Sequence, residues 1–523
     1  MKIIIPMAGD SSGFDDIKPL VIIDGKTMIE HVCSMFPRKS SFIFLCRKEG
    51  MEKLESVLQK ISPDCLIVPV DQTRGPADTV LQLEGRINND EEVIISYCDA
   101  YVKWDFWKFV DEARKNSAVG VLSTFKGFNP VFLGNELHAY INVNDNDLVT
   151  EIREKGLFHP NKMENYTSAG SYYFSRWSLF VKYAKQMIEK NIGVSDNYFV
   201  SLVYNLMIKD GLRVVPYEVE DFVSWGHPEN LKEYMFWSEY FSSLVGGQQE
   251  RKTFAMTNLV PMAGLGKRFA DAGYKKPKPL IEVLGSPMAV KSALSLPKAE
   301  RYIFVCMEDH TERFGLDKLL KKNIPSAEIM PINMQTDGMA RTCLMAEDRL
   351  DTDKPLLISS CDYSFVYDEQ KFEQLINQGA DVVIWTFRQY PDARRNPKAY
   401  AYLVVENGLV KRISEKVPIS DEPHKDQIVL GIFYFKNARI FIEAARGMIE
   451  KKIAVNGEYY VATSISELIN KGMKIVPFEV DKYICWGTPE DLKIFEYWKD
   501  YFSSLGNHPY DMDRRANHNQ NYS

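Results

Sequence analysis

The sequence predicts an α/β protein of two tandem domains, each a mainly parallel mixed sheet covered by helices. Three observations carry that expectation. The chain repeats itself at a spacing of about 260 residues, far too long for a solenoid. Short apolar, β-branched runs alternate with helix-length segments, which is the pattern of βαβ crossovers. At 523 residues the chain exceeds one ordinary domain, and the repeat sets the count at two, of about 250 residues each.

Residues 2–7 read as a strand covered on both faces, because Ile-Ile-Ile-Pro-Met shows no polar alternation. An amphipathic stretch over 28–36 follows, then strands over 41–46, 66–70 and 93–97. The second copy repeats these strands at 258–262, 302–306, 328–331 and 356–360. Apolar runs at 118–125 and 380–387 echo each other, as do 170–174 and 431–435, each of the latter leading into a helix at 179–190 or 440–451. Residues 246–255, polar and glycine-containing at their start, read as a linker between domains at 1–245 and 256–505. Residues 506–523, rich in Asn, His, Asp and Arg without an apolar period, read as a disordered tail.

Bulk properties narrow the partners. The net charge is −7, from 64 basic and 71 acidic residues without a basic stripe, which argues against nucleic acid. Eight cysteines contain no Cys-x-x-Cys pair and several lie in apolar runs, so they read as small core residues of a reducing compartment. No leader or apolar stretch of membrane-spanning length is visible, so the expectation is a cytoplasmic protein with no membrane partner. Aromatic content of 12% fits a large core or an interface, which keeps a homo-oligomer among the expectations.

The chemistry-bearing segments lie at strand ends. Met262 opens into Ala263, Gly264, Leu265, Gly266, Lys267 and Arg268. Glycines just past a strand let backbone N–H groups approach phosphate oxygens, Arg268 offers a planar fork, and Lys278 adds a second cation. The third glycine of a dinucleotide fingerprint and the Gly-Lys-Ser/Thr of a P-loop are both missing, so a tight βα turn explains the glycines equally well. Asp362 ends the run 356–361, at the edge where open α/β sheets bind ligands. A carboxylate there suits Mg²⁺, with substrate phosphates completing the shell; a turn-capping role is the plainer alternative. Asp99 holds the same place in the first copy, and Glu154-Lys155 returns as Glu415-Lys416, a pairing that on most surfaces is only solvated charge.

In this order and spacing, Pro261-Met-Ala-Gly-Leu-Gly-Lys-Arg-Phe269, Lys278-Pro279-Leu280, Cys361-Asp362, Glu415-Lys416 and Trp486-Gly-Thr-Pro-Glu-Asp-Leu492 resemble the sugar-phosphate nucleotidyltransferases. The resemblance covers 256–500, and 1–240 in weaker form, and leans toward the branch serving bacterial surface glycans. It implies a Rossmann-like, GT-A-like domain in each copy. It further implies that Met262, Ala263, Gly264, Leu265 and Gly266 wrap the nucleotide, with Gly338 against its base. Arg268 would contact the leaving phosphates, Lys278 the reacting phosphate, and Asp362 the Mg²⁺. Glu415, Lys416 and Gly431 would receive the sugar and its phosphate. The implied reaction couples an NTP to a sugar 1-phosphate by in-line attack on the α-phosphorus, expelling pyrophosphate, in the supply of capsule or other polysaccharide precursors. Such chemistry needs positioning and charge neutralisation, and no Ser-His or Cys-His arrangement is present or required.

Two departures qualify the resemblance. A second metal-binding aspartate is common two residues before the glycine of the Gly-Thr segment, but Cys485 and Ser224 stand there, neither a normal Mg²⁺ ligand. Glu458 and Asp481 are candidate replacements, with Asp196 and Asp221 as rough counterparts. In the first copy Pro6 to Leu20 spans 15 residues against 20 from Pro261 to Leu280. No arginine matches Arg268, and Asp10, Asp15 and Asp16 bring negative charge. Gly9, Lys18, Gly75, Asp99, Glu154 and Lys155 persist, so the first copy is expected to keep the fold, either with a ligand pocket of impaired or altered chemistry or as a purely structural partner, and the second to be the catalyst. Two other readings stand beside this one. A GT-A-type glycosyltransferase would want an Asp-x-Asp, which neither Asp362-Tyr-Ser nor Asp99-Ala-Tyr supplies; a non-catalytic nucleotide or sugar sensor has Arg268 and Lys278 against it.

Overall fold

The computed structural model describes residues 1–115, 117–134, 138–245 and 251–520. The chain divides into two compact units, Met1–Ser243 with Asp500–Ser523, and Leu244–Lys499.

Each unit is built on a nine-stranded mixed sheet. In the first, Leu66–Val70, Ser41–Arg47, Lys2–Met7 and Val93–Ser96 lie side by side and parallel, with Ile4 opposite both Ile43 and Ile95. Alternation of side chains sends Ile3 and Ile5 into one core and Ile4 into the other, so both faces are covered and the strand can be apolar throughout. In the second unit Ala327–Ile332, Ala299–Met307, Phe254–Met262 and Leu356–Ile358 form the matching parallel block. These strands end at one edge, from which the loops carrying Gly9, Gly75 and Asp99, or Gly264, Gly338 and Asp362, emerge.

The remaining strands make the sheet mixed rather than parallel. Tyr166–Phe174 starts antiparallel to Ala139–Val143 and then, past Gly170, changes partner to run antiparallel to Val93–Ser96. Gln427–Phe435 does the same between Leu356–Ile358 and Ala401–Glu406. The exchange is made at Gly170 (φ +86°) and Gly431 (φ +97°), where a left-handed backbone breaks the ladder at little steric cost for glycine. A small antiparallel pair stands beside each main sheet, Ala100–Lys103 with Asp221–Ser224 and Tyr363–Val366 with Lys482–Cys485. Helices cover the faces. Met28–Ser34 starts from a reciprocal cap, Glu30 N–H to Thr27 Oγ1 and Thr27 N–H to Glu30 Oε2, and buries Met28, Ile29, Val32 and Cys33.

Two sequence expectations change. Of the expected linker, 246–250 lie outside the described residues, while 254 and 255 already belong to the strand Phe254–Met262. The expected tail is instead helical at Pro509–Gln520, with 521–523 outside the described residues. Residues from Asp500 onward pack on the first unit: Phe502 lies 5.3 Å from Tyr234 and 5.8 Å from Phe241, and Tyr510 5.0 Å from Phe241, ring centroid to centroid. His508 is buried, with Nε2 3.3 Å from the hydroxyls of Ser238 and Ser242. A few aromatic anchors thus order a stretch whose average composition reads as disorder. The cysteines are free thiols, six of them buried, in keeping with the core reading. No helix among the described residues is long and apolar enough to cross a membrane.

Candidate active site

In the second unit the site begins with Lys278. Pro277 and Pro279 fix a short 3₁₀ turn, Lys278–Leu280, which turns the lysine toward the strand edge. Its Nζ donates to Asp362 Oδ2 at 2.6 Å and to the Gly487 carbonyl at 3.0 Å, over the ring of Phe269. The hydroxyl of Ser360 donates to Asp362 Oδ1 at 2.7 Å. Burial works against both charges, but each partner outweighs it: Asp362 is held below the usual carboxylate range, and Lys278 above the usual lysine value. Both therefore stay ionised at neutral pH.

The strand pair places Tyr363 opposite Cys485, and the Trp486 N–H bonds to the Asp362 carbonyl at 2.8 Å, so the Trp486–Gly487 turn lies against the aspartate. Cys485 occupies the position where a second metal-binding acid was missing from the sequence. Burial first, then the charges of Asp491 and Asp362, push its thiol well above the ordinary value, so it stays protonated. It donates toward Asp491 Oδ2 at 3.4 Å. Asp491 is the acid that sequence reasoning missed. It caps the helix Pro489–Ser504 in a reciprocal arrangement, its Oδ2 accepting from Thr488 N and Oγ1 while its own N–H returns to Thr488 Oγ1. The Thr-x-x-Asp spacing carried that signal. Asp491 lines the same cavity as Asp362, whereas Glu458 and Asp481 are exposed and line no part of it. In the first unit Asp196 is exposed and Asp221 pairs with Lys103; neither lines the corresponding cavity.

A cavity of about 1030 Å³ brings Arg268, Lys278, Asp362, Glu415, Lys416 and Gly431 together. Glu415 ends the strand Leu409–Glu415; burial raises its pKa against the pull of Lys416, and its Oε2 is buried without a partner among the described residues. Lys416, at φ +60°, turns back so that its Nζ donates to the Ala399 carbonyl at 2.5 Å. Arg268 is exposed in the short helix Lys267–Asp271. Met262, Ala263, Gly264, Leu265, Gly266 and Gly338 do not line this cavity. Gly266 adopts φ +60° and passes so close to Lys278 that a Cβ would sit 3.0 Å from the lysine's own. Gly338, at φ +129°, faces the backbone of Tyr459, whose N–H bonds to Asp337 and whose carbonyl accepts from Ala340.

Compared with known families, the profile described as nucleotidyl transferase matches residues 14–221 and again 258–507. The chain belongs to this family. A search of curated proteins by sequence finds no match. Among solved structures, similarity extends to a nucleoside-diphosphate-sugar pyrophosphorylase from Vibrio cholerae RC9, at 24% identity over 46% of this chain and 98% of that one, TM-score 0.38. It extends also to the inositol-1-phosphate CTP transferase from T. maritima, at 15% identity over 48% and 99%, TM-score 0.37. A putative glucose-1-phosphate thymidylyltransferase from Bacillus anthracis matches at 17% over 46% and 94%, TM-score 0.37.

The first nucleotidyl transferase unit keeps the same core geometry. Lys18 Nζ donates to Asp99 Oδ2 at 3.0 Å and to the Gly226 carbonyl at 3.1 Å, above the ring of Phe14. Ser201 donates to Glu154, whose carboxyl burial pushes up to about 7; Lys155, at φ +59°, follows it. Gly75 (φ +100°) meets Tyr198 as Gly338 meets Tyr459. The loop differs less in shape than its length suggests. The Ser11 hydroxyl accepts from Lys18 N–H at 3.0 Å, where Gly266 approaches Lys278, and Phe14 replaces Phe269 beneath the lysine. The two loops therefore correspond residue by residue from Gly9 to Phe14, the missing residues are those matching 270–274, and Gly13 stands in place of Arg268.

Proposed function

We propose that the second unit of this nucleotidyl transferase couples an NTP to a sugar 1-phosphate, forming an NDP-sugar for glycan synthesis. The observation that carries this reading is the Lys278–Asp362 pair in a cavity that also holds Arg268, Glu415 and Lys416. An oxygen of the sugar phosphate attacks the α-phosphorus, the bond to the bridging oxygen breaks, and pyrophosphate leaves with the electron pair. Nothing is covalently attached to the protein, so the residues act by position and charge. Lys278, held in place by Asp362 and Gly487, meets the charge that builds on the reacting phosphate, and Arg268 grips the departing ones. The orphaned Glu415 oxygen accepts sugar hydroxyls, which replace the partner it lacks. Lys416 supplies positive charge beside the sugar phosphate.

The residues present fit magnesium as a cofactor, which when bound neutralises phosphate charge. Asp362 would hold it in exchange for its bonds to Lys278 and Ser360, with Asp491 a second carboxylate of the same cavity. The Cys485 thiol is protonated, and the described residues contain no group of three or more acids, cysteines or histidines able to hold a metal. Substrate oxygens and water complete such a shell, as is usual for Mg²⁺ at phosphates.

The test is pyrophosphate release by the purified chain with Mg²⁺, each of the four NTPs and a panel of sugar 1-phosphates. Release with one pair is expected, and release with none overturns the proposal. Free NDP formed from an NDP-sugar and an acceptor, without pyrophosphate, points instead to a glycosyltransferase.

A further inference from the structure

The first unit contains a formed cleft at its strand edge, about 370 Å³, lined among others by Gly9, Asp10, Lys18, Arg47, Gly75 and Asp99. Three features set its charge apart from that of the second unit. Residues 264–279 hold five lysines or arginines against one aspartate, while 9–19 hold one lysine against three aspartates. Asp10 stands where the second copy has Leu265, and it occupies the turn itself: Ser12 N–H donates to Asp10 Oδ1 at 3.0 Å, and the Ser12 hydroxyl donates to Oδ2. A loop N–H that elsewhere would serve a phosphate oxygen is thus already satisfied by a carboxylate of the chain. The two Ser12 bonds hold the Asp10 carboxyl below its ordinary value, so it is charged at neutral pH.

The third feature is a cation from a different strand. Arg47 ends Ser41–Arg47 and donates from Nε to the Ala8 carbonyl at 2.7 Å, which lays its guanidinium along the cleft. Its counterpart is Met307, the last residue of the matching strand. Lys18 is already paired with Asp99, whereas Arg47 lies in the field of Asp10 but, among the described residues, within salt-bridge distance of no carboxylate. One guanidinium fork suits one phosphate, and the charge of Asp10 repels a longer phosphate chain.

We propose that the first cleft binds a nucleoside monophosphate in preference to a triphosphate, with Arg47 on the phosphate and Asp10 excluding the β- and γ-phosphates. The first unit is then a second ligand site of altered selectivity, and it does not run the pyrophosphate-releasing reaction proposed for the second.

Hydrogen–deuterium exchange of the full chain, resolved by peptide and run with Mg²⁺ present, reads the two units separately. The four nucleoside monophosphates and the four triphosphates are titrated in turn. At least one monophosphate is expected to protect residues 5–20 and 72–79 at a concentration about tenfold below that of its triphosphate. Asp10→Asn should bring the triphosphate to within about threefold, and Arg47→Met, which installs the second copy's residue, should remove protection by the monophosphate. Absence of protection by every monophosphate overturns the proposal. So does wild-type protection by a triphosphate at equal or lower concentration, or an Arg47→Met variant that binds as before. Protection of 260–280 by triphosphates belongs to the reaction of the second unit and fails or succeeds independently.

Discussion

Replacing Asp362 with asparagine keeps the shape of the side chain and removes the negative end of its pair with Lys278. The pair is 2.6 Å long, with side chains 19% and 21% exposed. Stranding one partner of a fully buried pair costs roughly 3–5 kcal/mol. The remaining exposure, and the Gly487 carbonyl that still accepts from Lys278, reduce this to about 2 kcal/mol. Asp99→Asn breaks a 3.0 Å pair with side chains 15% and 24% exposed, so its stability cost is of the same size. Activity should separate the two. Asp362→Asn removes the proposed metal carboxylate and the anchor of Lys278 together, and is expected to lower kcat/KM about 10³-fold, or about 4 kcal/mol. Asp99→Asn should change it by no more than about twofold. Pyrophosphate release measures the first quantity and denaturant unfolding the second. Equal activity losses from the two variants, at equal stability, would refute the assignment of catalysis to the second unit.

Other expectations follow from single contacts. Arg268 is exposed, so Arg268→Ala should lower kcat/KM about 10²-fold while moving unfolding stability by less than about 0.5 kcal/mol; an unchanged rate would remove it from the site. The Glu154 carboxyl titrates near 7 in the fold against 4.5 unfolded. With the folded value raised, its contribution is complete below the unfolded value and is lost as pH rises through 7, by up to about 3 kcal/mol. Glu154→Gln should accordingly flatten the fall in stability between pH 5 and pH 8, and an unaltered pH profile would contradict the assignment. Gly75 has φ +100° and a Cβ there would lie 2.7 Å from Tyr198 N, while Gly338 has φ +129° against Tyr459. Alanine at either should cost about 2–3 kcal/mol in denaturant unfolding, whichever unit turns over; an unshifted midpoint would count against both close approaches.

The parallel blocks were legible because a strand covered on both faces must be apolar throughout, and 3–7, 42–46 and 302–306 are. The antiparallel direction of Tyr166–Phe174 was not, since direction leaves no mark on composition; only its residue-by-residue pairing with Val93–Ser96 and Ala139–Val143 reveals it. In the site, Asp362 reads from its place at a strand end and Lys278 and Glu415 from the family resemblance, and the structure gathers the three into one cavity. Asp491 was hidden inside a capping pattern, and Arg47 inside an apolar strand, because each acquires its meaning from a neighbour distant in sequence.

The sequence by itself determined the duplication, the α/β class, the family and the asymmetry of charge between the two loops. These follow from residue type and spacing, which do not depend on what packs against what. Tertiary structure alone decided that the first loop corresponds to the second as far as Phe14, that Asp10 satisfies its own turn, and that Arg47 reaches the cleft from another strand. It also decided that Asp500 onward joins the first unit. Those outcomes depend on contacts across tens to hundreds of residues, where hydrogen-bond geometry and aromatic packing, rather than local pattern, fix the answer.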